Sequence, residues 1–168
     1  TTLSLWIAHA VLKDPASYIP PAKYPVIHQA ALASCDAADG LKDGLISNPA
    51  ACSFNPEVLL CKQGDDASCL TAAQVTAVKK MYSPPLNART GKPLSSPLTP
   101  GTELGWSRLL GGPDPYDTAV DQYKYVVFSD PAFGELRGRD AGDMWRMLTT
   151  RAKDFSLTFD HVRADERT

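Results

Sequence analysis

The chain has 168 residues and a formal net charge of −2, so its composition does not indicate a nucleic acid or an anionic membrane as partner. Hydrophobic residues make up 43% of it, which suits one globular domain, and no stretch approaches the 18 apolar residues of a membrane span. Its 14 prolines concentrate in 15–25 and 84–115, where they exclude long helices and central strands. We therefore expect a mainly α fold with little β-structure and long irregular Pro/Gly-rich loops. The chain starts with Thr1 rather than Met, which we interpret as the sign of a processed or excised piece.

Hydrophobic spacing predicts helices at several places along the chain. Apolar residues repeat at helical intervals in 2–12, and a second helix begins at Pro25 and runs to Cys35. A third begins with the capping-box sequence Thr71–Gln74 and continues to about Tyr82, where two prolines end it. The segment 123–128 is either a short strand or a buried turn, and 144–155 carries the pattern of a final helix.

The segment after the second helix is rich in aspartate and glycine. Asp36, Asp39 and Asp43 lie close together, and carboxylates at this spacing repel one another unless a cation or hydrogen bonds neutralise them. Their side chains and the carbonyls of Leu41 and Leu45 offer an all-oxygen shell. Such a shell suits calcium better than it suits magnesium or zinc. The spacing is not that of an EF-hand. Two Asp-Gly turns with solvated carboxylates explain the pattern equally well.

Four cysteines occur within one short stretch of the chain, at Cys35, Cys52, Cys61 and Cys69. Four cysteines allow three pairings, of which the sequential one is the simplest. A zinc site is the alternative, but the spacing is not CxxC and no histidine lies among them. Disulfides indicate an oxidising compartment, so we expect a secreted or periplasmic protein that is stapled by these bonds.

We find no catalytic motif in the sequence. There is no GxSxG-like nucleophile elbow, Walker loop or HExxH pair. Of the histidines His9, His28 and His161, the first two lie on predicted helices, where a hydrogen-bonded structural histidine is the usual explanation. We therefore expect this chain to be inactive as an enzyme on its own.

Several separate segments, in order along the chain, resemble the tannase and feruloyl esterase family, which includes the bacterial hydrolase of mono(2-hydroxyethyl) terephthalate. They are Lys13–Pro25, Cys35–Gly44, Cys69–Val75, Glu103–Trp106 and Tyr123–Pro131, so the resemblance covers roughly residues 1–135. Members of that family have an α/β-hydrolase domain with a Ser-Asp-His triad and a lid domain inserted into it. The resemblance implies that 1–168 form a single α+β lid domain, normally inserted in a hydrolase domain that this chain does not contain.

The resemblance also implies roles for individual residues. The lid of this family holds a structural calcium ion (Ca2+), and its disulfides correspond to Cys35–Cys52 and Cys61–Cys69. The implied ligands are the side chains and carbonyls named above: Asp36, Asp39, Leu41, Asp43 and Leu45.

By the same resemblance, the chain is the lid of a secreted carboxylic-ester hydrolase that helps to recognise aromatic esters. Its partners are then the hydrolase core of the parent enzyme and an aromatic ester, with no nucleic acid or membrane. The aromatic candidates for substrate contact, most of which could equally be core residues, are Trp106, Tyr123, Tyr125, Phe128 and Phe133. We also expect the apolar face of an isolated lid to favour dimerisation. The alternative is an independent extracellular binding module that calcium stabilises, with no esterase partner.

Overall fold

The computed structural model describes Ile7, Val11, residues 14–86 and 90–110, and the single positions 121, 125 and 129. Within these ranges the architecture is helical: α1 spans Tyr24–Cys35, α2 spans Ala72–Met81 and the short α3 spans Ser107–Leu110. Single 3-10 turns occur at Pro15–Ser17, Pro21–Lys23, Asp36–Asp39, Pro49–Ala51, Pro56–Leu59 and Glu103–Gly105. The same ranges contain isolated bridges, Leu60 with Leu70 and Leu86 with Pro93, and no strand. The predicted helical character is thereby confirmed for the described part of the chain.

Helix α1 forms where the sequence predicts it, one residue earlier. Pro25 lies in its first turn, where the missing N–H of proline costs nothing because the first N–H groups of a helix have no partner within it. Tyr24, Ile27, Ala31 and Cys35 are buried along one side. The helix therefore presents an apolar stripe to the core and delivers its last residue, Cys35, to the start of the aspartate-rich segment.

Helix α2 begins with the predicted capping box, which the structure confirms. The N–H of Gln74 donates to Thr71 Oγ1 at 3.2 Å, and the N–H of Thr71 donates to Gln74 Oε1 at 3.0 Å. These bonds satisfy N–H groups that a helix start otherwise leaves unpaired. Val75, Val78 and Met81 are buried, so the helix packs by the face that their spacing predicts.

The core lies between α1, α2 and the segment that precedes α3. Trp106 is fully buried at its centre, with the rings of Tyr24 and Tyr82 edge-on at 5.8 and 5.7 Å. Ile7 and Val11 are helical, fully buried and part of the same core. They agree with the first predicted helix, whose other residues lie outside the described part, as does the predicted helix over 144–155.

The two disulfides have the pairing implied by the family. Cys35 bonds to Cys52 with Cα atoms 5.4 Å apart, and Cys61 bonds to Cys69 with Cα atoms 5.0 Å apart. The first joins the end of α1 to the turn Pro49–Ala51, and the second closes a short loop next to the bridge between Leu60 and Leu70. In the part of the chain that the structure describes, no helix is both long and apolar enough to cross a bilayer.

Candidate functional site

The aspartate loop, residues 36–46, folds back onto its own first side chain. Asp36 is only 7% exposed, and its Oδ1 accepts the N–H of Asp43 at 3.2 Å and that of Gly44 at 3.1 Å. Gly40 and Gly44 have φ values of 93° and 81°, a conformation that glycine adopts without steric cost. A buried carboxylate and two left-handed glycines thus fix the course of the loop.

The two other aspartates are exposed and each holds the backbone two residues further on. Asp39 Oδ1 accepts the N–H of Leu41 at 2.9 Å, and Asp43 Oδ1 accepts the N–H of Leu45 at 3.1 Å. A hydrogen bond from the Ser47 side chain, followed by the one from Leu41, lowers the pKa of Asp39 below its usual value. Asp39 is therefore ionised near neutral pH, and a carboxylate that accepts few N–H bonds keeps lone pairs for a cation.

The donor chemistry of this loop fits a hard cation. Its candidate ligands are carboxylate and carbonyl oxygens, with no nitrogen or sulfur donor among them, which is the set that calcium takes. Across the described residues, no three His, Cys, Asp or Glu side chains converge as a metal cage. A calcium ion would thus have to draw these aspartates together with backbone carbonyls, and calcium binding stays a prediction.

A second polar group lies in the core beside the loop, and we call it the Glu103 cluster: Glu103, His28, Tyr82 and Gly101. The Glu103 side chain is fully buried. Its Oε1 accepts the Tyr82 hydroxyl at 2.5 Å and the N–H of Gly101 at 2.8 Å, and its Oε2 lies 2.8 Å from His28 Nδ1. Burial, then the charge of Glu103 and its hydrogen bond, raise the pKa of Tyr82 well above the ordinary tyrosine value.

Sequence reasoning anticipated a structural role for His28 and missed the other members of this cluster. Two features of the sequence could have pointed to the cluster. Glu103 belongs to the segment Glu103–Trp106, which resembles the family, and it follows Gly101 by two residues. Nothing local in the sequence shows that its carboxylate faces inward, toward a histidine 75 positions away.

The Glu103 cluster touches the aspartate loop through a glycine. A methyl group placed on Gly101 would lie 3.6 Å from Cβ and Cδ1 of Ile46, so the Gly101 backbone packs against that side chain. Ile46 is half-buried, whereas Leu45 and Ser47 on either side of it are exposed. The last residue of the loop, Ile46, therefore contacts the Glu103 cluster at Gly101.

A buried lysine connects the second disulfide loop to the core. Lys23 is 4% exposed, forms an ion pair with Asp65 and donates to Gln74 Oε1 at 2.9 Å. Gln74 Nε2 donates in turn to the carbonyl of Tyr18 at 2.8 Å. A charge that is costly to bury thus has both a counter-charge and a neutral acceptor.

Of the five predicted substrate-contacting aromatics, the structure describes Trp106 and Tyr125, and these two differ in exposure. Trp106 is buried in the core, where its indole N–H donates to Thr102 Oγ1 at 3.3 Å. Tyr125 is 56% exposed and has helical backbone rather than the extended backbone of a strand. Tyr123, Phe128 and Phe133 lie outside the described residues. Because Trp106 is buried, its ring has a packing role in this conformation. Substrate contact by any of the five aromatics stays a prediction.

Comparisons with known proteins agree with the family resemblance found in the sequence. The family model described as tannase and feruloyl esterase matches residues 1–103. An uncharacterized esterase of Xanthomonas campestris pv. campestris is 40% identical over 138 residues, which are 79% of this chain and 23% of that protein. A probable feruloyl esterase B of Aspergillus clavatus is 32% identical over 72% of this chain and 23% of its own length.

Solved structures agree with the sequence matches. The crystal structure of an esterase from Aspergillus oryzae superposes with a TM-score of 0.70 at 28% identity, covering 95% of this chain and 34% of that one. Feruloyl esterase B from the same fungus gives a TM-score of 0.67 at 26% identity over the same shares. Both of these solved proteins are esterases, and the chain matches about a third of each. The chain belongs to the tannase and feruloyl esterase family, and its match spans about a quarter of the length of the curated relatives.

Proposed function

We propose that this chain is the lid domain of a larger carboxylic-ester hydrolase. The observation that carries the proposal is its size relative to its neighbours: it covers about a third of a solved esterase at a TM-score of 0.70. A domain with its own core and two disulfides is suited to cover a hydrolase core of the same parent enzyme as one body. The disulfides favour a secreted or periplasmic location.

A lid contributes to catalysis by excluding water and completing the substrate pocket. The proposed substrate is an aromatic ester, and the described aromatic best suited to touch it is Tyr125, because more than half of its surface is exposed. Tyr123, Phe128 and Phe133 are the further candidates. The hydrolytic chemistry itself belongs to the parent enzyme.

The aspartate loop has a structural role in this proposal. The side chains of Asp36, Asp39 and Asp43 and the carbonyls of Leu41 and Leu45 would hold a calcium ion. When bound, the ion supplies positive charge that offsets the repulsion of the carboxylates. The loop residues orient their own oxygens, because Asp36, Asp39 and Asp43 already accept backbone N–H groups within the loop.

Chelation tests this role. EDTA should lower the melting temperature by about 5–10 °C from its value at a calcium concentration about a hundred times Kd, because the ion binds only the folded state. Asp39→Ala should largely remove the difference between calcium and EDTA. Asp66→Ala is the matched control, because Asp66 likewise accepts the N–H two residues on but lies in the other disulfide loop. Equal calcium dependence in wild type and Asp39→Ala would show that the loop is only a turn.

An esterase assay on the purified chain tests the lid role. We expect no hydrolysis of a feruloyl or terephthaloyl ester above background, because the nucleophile belongs to the hydrolase core. Turnover that a serine-directed inhibitor abolishes would contradict the proposal. A coding sequence that ends at both borders of this chain, with no hydrolase segments beside it, would instead support an independent binding module.

A further inference from the structure

We propose that Glu103 is a positioning residue for the aspartate loop, so that the affinity of the loop for calcium depends on a buried carboxylate that is not itself a ligand. The inference rests on the calcium role proposed above, and it adds a residue that the ligand set does not contain. Its basis is an unbroken series of contacts from Glu103 to the last residues of the loop.

The first end of the loop is fixed by the chain itself. Asp36 directly follows α1, whose last residue Cys35 is tied to Cys52. The buried Asp36 carboxylate then accepts the N–H groups of Asp43 and Gly44. This end stays in place for as long as α1 is folded.

The second end depends on Ile46. The candidate ligands Asp43 and Leu45 are exposed, and Ile46, which follows them, is partly withdrawn from solvent. Its side chain packs on Gly101, with 3.6 Å to the position of a Cβ there. The second half of the ligand set is thus held at two points, by Asp36 at Asp43 and Gly44 and by Gly101 at Ile46.

Glu103 holds Gly101 in that location. The N–H of Gly101 donates to both carboxylate oxygens of Glu103, at 2.8 and 3.1 Å, and Gly101 has a φ of 98°. Because this φ favours glycine, the backbone can close tightly around the carboxylate. A hydrogen bond to an ionised acceptor is stronger than one between neutral groups, so the carboxylate is a firmer support than an amide would be.

The same helix determines both ends of the loop. His28 of α1 lies against Glu103, and the residue after the C-terminus of α1 is Asp36. Tyr82, just beyond α2, donates to the other oxygen of Glu103. The Glu103 cluster thus holds the two ends at a fixed separation, and a cation with five ligands from both halves depends on that separation.

Calcium affinity measured by isothermal titration calorimetry tests this proposal. We expect Glu103→Gln to weaken binding roughly tenfold, the lower end of the loss usual for residues that orient metal ligands. Glu57→Gln is the matched control: the same chemical change removes an exposed carboxylate that pairs with Lys79, and affinity should not change.

A second pair of variants keeps the test decisive if Glu103→Gln does not fold. Tyr82→Phe removes only the hydroxyl that donates to Glu103, and Tyr24→Phe removes a buried hydroxyl to which the described residues offer no hydrogen-bond partner. Both rings pack edge-on against Trp106. We expect Tyr82→Phe to weaken calcium binding by up to about tenfold, the lower end of the usual loss, and Tyr24→Phe to leave it unchanged.

Amide hydrogen exchange without calcium supplies a readout that is independent of the ion. In Glu103→Gln or Tyr82→Phe, the N–H groups of Asp43 and Gly44 should exchange faster than in wild type, because the second half of the loop is less firmly placed. Unchanged affinity and unchanged exchange in folded variants would overturn the inference while the calcium site stands. A wild-type protein that binds no calcium would overturn the calcium role and this inference with it.

Discussion

The two disulfide-closed loops differ in the groups that contact their aspartate side chains. In the loop closed by Cys61 and Cys69, Asp65 reaches a lysine of the core and forms an ion pair. In the loop closed by Cys35 and Cys52, the described residues offer the aspartates only backbone N–H groups and hydroxyls, with no ion pair. An acidic loop with a counter-charge from its own chain needs no metal, so the comparison favours the first loop as the place for a cation.

Removal of each disulfide should have the largest effect on this comparison. In the chain-entropy model, Cys35→Ala with Cys52→Ala should cost about 3 kcal/mol and Cys61→Ala with Cys69→Ala about 2.5 kcal/mol, because the first bond closes the longer loop. Urea unfolding measures both. The difference between these two losses of unfolding free energy should be larger in excess calcium and smaller in EDTA, because only the first bond holds the proposed calcium site together. If calcium leaves this difference unchanged, the first loop is no more a calcium site than the second.

Asp65→Asn should have the next largest effect. Among the described residues, the change leaves the buried Lys23 with Gln74 as its one remaining acceptor. We expect a loss of about 1–2 kcal/mol in the free energy of unfolding. The control is the same change in a Lys23→Met background, where it should be nearly neutral because the charge is gone. A similar loss in both backgrounds would show that the ion pair is not the cause.

Asp66→Asn should have the smallest effect, visible in acid. Hydrogen bonds from Ser68, first its side chain and then its backbone, lower the pKa of Asp66 in the folded protein. A lowered pKa contributes stability above the unfolded value of 3.8, and this stability is lost as the pH falls through the folded value. The slope of unfolding free energy against pH between about 4 and about 2 should therefore be shallower in Asp66→Asn. A slope identical to that of wild type would show that this turn does not depend on the charge.

Local signals in the sequence predicted the parts of the fold that depend on neighbouring residues. The capping box at Thr71 and the start of α1 at Pro25 are examples, because helix ends follow from residues a few positions apart. The disulfide pairing followed from the family resemblance. Calcium binding by the aspartate loop stays a prediction.

The interior polar contacts could not be predicted in this way. Lys23 pairs with Asp65 and His28 with Glu103, across 42 and 75 positions, and periodicity does not encode such pairs. Trp106 shows the same limit, because an aromatic ring suits a substrate pocket and a core equally well, and its burial depends on the packing of distant segments.

The contacts of Gln74 have a consequence for how the chain folds. Its side chain caps α2 through Thr71, accepts from Lys23 and donates to the carbonyl of Tyr18. The bonds that start the helix are thus shared with a segment more than fifty residues earlier. Since an isolated helix of this length is barely stable in water, α2 gains its first turn at the step in which it docks. We therefore expect helix formation and long-range association to occur as one cooperative event.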